Sequence, residues 1–128
     1  MKLGYTILYV KDVAESVAFY ERAFGLTRRF VDESGQYAEM ETGNTTLSFA
    51  ANKLAKSNLP SGFQENNLSS LPAGIEIGLV TEDVPTAFTI AVEAGAIAVA
   101  EPKVKPWGQT VAYVRDRDGI LVEICSPI

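Results

Sequence analysis

Histidine is absent from the 128 residues of this chain. Without imidazole there is no Ser-His-Asp or Cys-His nucleophile system. Nor can the chain build a two-histidine, one-carboxylate iron centre or an imidazole-based zinc site. Cysteine is nearly absent. Cys125 stands alone, so no intrachain disulfide can form, and no histidine or CxxC partner makes it a reactive thiol. Basic residues are the minority: 11 Lys and Arg against 16 Asp and Glu leave a net charge of -5. That balance argues against a nucleic-acid partner. Arg28-Arg29, the nearest approach to a basic run, is followed closely by Asp32 and Glu33 and reads as a solvated strand end. Long apolar runs are missing too; Leu3 to Val10 is far too short to cross a bilayer, so no membrane partner is expected. With no secretory leader visible, the expected compartment is a reducing cytoplasm.

What is there describes an ordinary globular domain. Hydrophobic residues make up 47% of the chain and charged ones 21%. One domain over residues 1–128 fits that length and can bury a core without disulfides or a structural metal.

The chain states one plan twice. Leu3 to Val10 is rich in β-branched and aromatic residues and reads as a strand. Asp12 then stands where a helix N-cap belongs, with Glu15 three residues on in capping-box spacing. Val13, Val17, Tyr20 and Phe24 recur at helical spacing, and Gly25 closes the helix. In the second half, Ile75 to Thr81 reads as a strand. Asp83 is the N-cap, Pro85 lies in the first turn, Phe88, Ala91 and Val92 form the apolar face, and Gly95 closes it. Laying Asp12-Val13 on Asp83-Val84 sets Tyr5 opposite Glu76. The turn-separated strands that follow, 35–49 in one half and 108–124 in the other, set Ser48 opposite Glu123. A repeat of two units is a pseudo-twofold domain rather than a solenoid. Residues 1–51 form module one and 74–128 module two. Between them, 52–73 carries Asn, Ser, Pro and Gly around an isolated Phe63 and reads as a linker or lid that packs on something.

Strand parity gives these positions a direction. Glu76, Gly78 and Val80 oppose Ile75, Ile77 and Leu79; Leu121, Glu123 and Cys125 oppose Ile120, Val122 and Ile124. Both glutamates therefore point away from the helix-facing core. If they approach closely, one of them has a raised pKa. Such a pair can work as acid and base, receive a cation, or simply be solvated. Trp107, the single tryptophan, sits between Pro106 and Gly108 on a turn or edge that presents its ring. Tyr5, Tyr9, Tyr37 and Tyr113 could add aromatic wall, and each could equally be strand packing.

Tyr9-Val10-Lys11-Asp12-Val13, Ser16, Phe19-Tyr20 and Phe24-Gly25-Leu26 carry a family likeness. So do Glu82-Asp83-Val84, Ala94-Gly95-Ala96, Pro106-Trp107-Gly108 and the closing run Asp116 to Ile124. In this order and spacing the sequence resembles the vicinal oxygen chelate superfamily, the glyoxalase, bleomycin-resistance and extradiol-dioxygenase group. Arg117 departs from the proline common there, a change in turn rigidity rather than chemistry. The resemblance implies an α+β fold: two tandem βαβββ modules forming an open, curved, mixed-sheet barrel with the helices outside. It implies a site on the concave side, and often a homodimer.

In metal-dependent members the ligands come from the first and last strands of each module. Carried over, those positions are Tyr5, Ser48, Glu76 and Glu123. Tyrosine ionises near pH 10 and serine is a poor ligand, so no metal and no cofactor are expected. The preferred reading is a metal-free protein resembling bleomycin-resistance members. It would sequester a planar small molecule, for which the two carboxylates would favour a cation. The lining would be Tyr5, Tyr9, Ser48, Glu76, Trp107, Tyr113 and Glu123. The alternative is a glyoxalase-like lyase or isomerase in which Glu76 or Glu123 is the base, with or without a weakly held divalent metal. A third reading is an interaction module whose dimer surface is its function.

Overall fold

A computed structural model describes residues 1–128, which divide into two compact units, Met1–Glu65 and Asn66–Ile128. In the first unit the chain runs β1 (Tyr5–Val10), α1 (Val13–Phe24), β2 (Thr27–Val31), β3 (Tyr37–Glu41), β4 (Thr46–Ala51) and α2 (Asn52–Asn58). Its sheet has the order β1-β4-β3-β2, and β1 pairs with β4 in parallel. The second unit runs β5 (Glu76–Val80), α3 (Val84–Glu93), β6 (Ile97–Val104), β7 (Thr110–Arg115) and β8 (Leu121–Cys125). Its sheet repeats the plan as β5-β8-β7-β6, with β5 parallel to β8. The fold is α+β, with two mixed sheets that each keep open edges.

The capping residues act as their spacing predicts. Asp12 accepts a hydrogen bond from the Glu15 amide at 3.0 Å, satisfying an N–H that the first turn of α1 leaves unpaired. Asp83 accepts from the Thr86 amide at 3.1 Å and the Thr86 hydroxyl at 2.8 Å. Gly25 takes up φ +66°, a left-handed turn that glycine adopts without strain. On α1, Val13, Val17 and Tyr20 are buried as the periodicity requires, together with Ser16, Phe19 and Ala23. They meet Leu8, Val10, Ala38, Met40, Leu47 and Phe49 from one face of the sheet, with the Tyr20 and Phe49 rings 4.9 Å apart. In the second unit Val84 and Ala91 of α3 are buried, as are Val122 and Ile124 of β8.

Strand register makes the internal repeat concrete. Tyr5 pairs with Thr46 and Ile7 with Ser48; Glu76 pairs with Leu121 and Gly78 with Glu123. Tyr5 therefore occupies the place of Glu76, and Ser48 that of Glu123. One irregularity repeats too, while a second in β6, between Ala100 and Lys103, has no counterpart in β2. Between the pairs Arg28–Met40 and Phe30–Glu39, Arg29 is an extra residue; between Ala98–Val114 and Ala100–Tyr113, Val99 is. Each is a β-bulge at the same step of its module.

The connecting segment differs from its sequence reading at one end. Asn52–Asn58 is helix α2, with Ala55 buried. Its Lys, Leu and Ala are good helix formers, but two turns are too short for a hydrophobic period to show. Beyond it, Lys56 pairs with Glu65, and the Phe63 ring packs edge-on against Tyr9 at 4.8 Å. The isolated Phe63 thus covers a tyrosine of its own unit. Farther on, Asn67 lies against the β7–β8 turn. Arg115 donates to the Asn67 carbonyl at 3.0 Å and to the Gly119 carbonyl at 2.9 Å. In that turn the buried Asp116 accepts from the amides of Asp118 at 2.8 Å and Ile120 at 2.9 Å, fixing the turn without a proline.

Candidate functional site

In the second unit, parallel pairing of β5 with β8 sets Glu76 diagonally next to Glu123 on the sheet face away from α3. Tyr113 lies directly opposite Glu123 on β7, and its hydroxyl donates to Glu123 Oε2 at 2.9 Å. Glu76 is raised above the usual carboxylate range by burial, by the negative charge of Glu123 and by a hydrogen bond with it. The bond to Glu123, together with burial, pushes Tyr113 up to about 12. Cys125, two residues beyond Glu123 on the same face, is buried. Burial and the neighbouring Glu123 push its thiol up to about 11. It is a protonated, inert thiol at neutral pH.

The corresponding face of the first unit is built differently. Ser48 is fully buried, and its Oγ lies 3.0 Å from the Tyr37 hydroxyl. That hydroxyl is also 3.1 Å from Glu39 Oε1. An ionised carboxylate can only accept, so Tyr37 donates to Glu39 and accepts from Ser48. Glu39 in turn accepts from Arg29 at 2.9 Å. The bulge aims Arg29 across the sheet, where it also grips Glu41 with two bonds of 2.7 and 2.9 Å and reaches Thr46 Oγ1 at 3.1 Å. These bonds, to Glu41 first and Glu39 second, raise Arg29 well above its ordinary value; Arg29 in turn holds Glu41 below its own. Sequence inspection missed this Arg29–Glu39–Tyr37–Ser48 chain. The one available signal was the alternation of Tyr37, Glu39 and Glu41 on one strand face.

The sequence-predicted residues thus fall into separate groups. Glu76, Glu123 and Tyr113 meet directly. Tyr5 is exposed at the start of β1 and faces the same way as Ser48. Tyr9 is half-buried under Phe63. Trp107 is exposed on the turn between β6 and β7, where its indole N–H donates to Gln109 at 2.9 Å. It lies outside the Tyr113–Glu123–Glu76 cluster.

Residues 2–124 match the family model described as the Glyoxalase/Bleomycin resistance protein/Dioxygenase superfamily. The chain belongs to this superfamily. Solved structures with the same fold include a glyoxalase-related enzyme from Fulvimarina pelagi, at TM-score 0.84 and 18% identity, covering 99% of this chain and 88% of that one. Another is a glyoxalase/bleomycin resistance protein/dioxygenase family enzyme from Burkholderia phytofirmans PsJN, at TM-score 0.78, 20% identity and full coverage of both chains. TioX from Micromonospora sp. ML1 matches at TM-score 0.74 and 21% identity, again over all of both chains. No curated protein sequence matches the chain.

The superfamily's metal chemistry can be tested against the donors present. In the first unit the position matching Glu123 holds Ser48, whose hydroxyl is buried and committed to Tyr37. Tyr5 is a neutral phenol at ordinary pH. In the second unit Glu76 is raised above the usual carboxylate range and Glu123 already accepts from Tyr113. Nowhere do three Cys, Asp or Glu side chains gather as a metal-binding group. This donor set does not fit the tight divalent site of the superfamily's metalloenzymes.

Proposed function

We propose that this superfamily member is a metal-free binding protein that sequesters a planar organic cation. The observation that carries the reading is the register of β5 on β8, which sets two carboxylates, Glu76 and Glu123, as diagonal neighbours on one sheet face. Two neighbouring carboxylates repel each other, which adds to burial in raising Glu76, and an organic cation placed beside them relieves that repulsion. Tyr113 fixes Glu123 by its hydrogen bond, so one acceptor is oriented before the ligand arrives. Trp107 offers an exposed ring in the same unit. Titration with a panel of aromatic cations, followed by Trp107 fluorescence and thermal denaturation, tests the reading. A binding member of the panel should raise the melting temperature, and Glu123→Gln should weaken it at least tenfold. No quenching and no stabilisation across the panel would refute it.

The same pair, with Glu76 raised beside Glu123, supports a second reading. A carboxylic acid beside a carboxylate can act as general acid and base, as a lyase or isomerase of the glyoxalase kind requires. Turnover of the methylglyoxal–glutathione adduct, lost in both Glu76→Gln and Glu123→Gln, would favour it. Absence of turnover removes the glyoxalase form.

A further inference from the structure

The sheet of the first unit has one face filled by α1 and one face without a helix. Register runs straight across the second face. Phe30 pairs with Glu39, Glu39 with Ser48, and Ser48 with Ile7, and paired residues share a face. Tyr5 and Tyr9 flank Ile7 on that side, and Tyr37 stands two residues from Glu39. Five rings therefore gather there: Tyr5, Tyr9, Phe30, Tyr37 and Phe63. Phe63 and Tyr9 are in edge contact at 4.8 Å; Phe30 and Tyr37 lie 6.1 Å apart, tilted by 52°. None of these rings belongs to the buried core. Tyr5 is 57% exposed and Phe30 41%.

The charges on this face select the sign of a ligand. Glu39 and Glu41 stand against a single cation, Arg29, and Arg29 is turned into both of them. The face is left with an excess of one negative charge, and its one guanidinium is already engaged by carboxylates. Aromatic faces attract cations by their own quadrupole. Strand spacing sets the size: four strands span about 14 Å, room for a fused polycycle rather than a single ring.

We infer that the helix-free face of the first module is a ring-stacking surface for a fused, planar organic cation, and that Phe63 is its specificity-determining ring. This rests on the ligand class proposed above. It gives the stacking role on this face to a residue outside the β-strands. Phe63 is delivered by the segment that follows α2, held in place by the Lys56–Glu65 pair and by its own packing on Tyr9.

Ethidium, a permanent planar cation with its own fluorescence, is the probe. Its dissociation constant would be measured for the wild type, Phe63→Leu, Phe63→Tyr and Glu123→Gln. Leucine keeps apolar volume against Tyr9 but removes the π face. Phe63→Leu should therefore raise the dissociation constant about tenfold, with an unchanged melting temperature, and Phe63→Tyr should restore binding. If Phe63→Leu binds like the wild type while Glu123→Gln does not, this inference falls and the binding reading stands. If Phe63→Leu loses thermal stability in step with affinity, Phe63 is a packing residue and the inference is overturned. Failure of the wild type to bind ethidium overturns it as well. The binding reading fails separately, if no member of the cation panel binds.

Discussion

Replacing Gly119 with alanine tests the contact between the β7–β8 turn and the segment that crosses it. Gly119 sits at φ +89°, where an L side chain is strained. A Cβ there would stand 2.5 Å from the Asn67 carbonyl oxygen and 2.7 Å from an Arg115 guanidinium nitrogen. Backbone cannot yield to such an approach without moving, so the Asn67 segment has to lift. Arg115 would then lose its bonds to Asn67 and Gly119, each contributing about 1 kcal/mol. The left-handed conformation itself costs alanine about 1–2 kcal/mol. The expected loss is therefore about 3–4 kcal/mol. Gly35 supplies the comparison: its φ is +70° and a Cβ there meets nothing within 4 Å. Gly35→Ala should cost only the conformational part, about 1–2 kcal/mol. Equilibrium urea unfolding of both variants, with amide exchange followed at Ser69 and Ser70, measures the difference. Equal midpoint shifts in the two variants would refute the contact argument.

Three further outcomes follow from the site and the core. Glu76 binds its proton more tightly folded than unfolded, so stability should fall as pH rises from about its ordinary 4.5 through the raised folded value, then level off. Glu76→Gln should flatten that part of the urea midpoint against pH; an unchanged profile would count against a raised Glu76. Tyr113→Phe removes the donor to Glu123. It should lower stability by about 1–2 kcal/mol and delete the absorbance step near pH 12 in an alkaline titration. Phe49→Ala opens a cavity against Tyr20 in the sealed core of the first unit. It should cost about 3–5 kcal/mol by thermal or urea denaturation, and a loss under 1 kcal/mol would show that the core had collapsed into the gap.

Much of the fold was legible because its signals are local. Asp12 and Asp83 mark helix starts by chemistry that acts within one turn, and Gly25 marks a stop in the same way. The repeat added what local signals could not. It put Ser48 and Glu123 in corresponding places before any register was known, and the register agrees. Strand alternation was enough to turn both glutamates away from the helix side. The hidden features are those whose partners are distant in sequence. Arg29 reads as a solvated strand-end cation until β3 and β4 are laid beside β2, which brings Glu39, Glu41 and Thr46 under it. Tyr37 is one tyrosine among five until pairing sets it over Ser48. Helix α2 was hidden for another reason, being too short to show a period. Phe63 stood out only as a lone ring in a polar stretch, with nothing to say which ring it would meet.

The two bulges carry residues with nothing in common, Arg29 in one module and Val99 in the other. What both modules share is one extra position at that step of the ladder, and β6 adds a further irregularity between Ala100 and Lys103. Removing either residue would leave the flanking pairs in regular register and take the local bend and extra twist out of the strand. Exchanging it leaves the frame alone and changes only what the strand presents, a guanidinium in one half and an isopropyl group in the other. The same step of the ladder thus presents two chemically unlike surfaces, one able to hold carboxylates and one not.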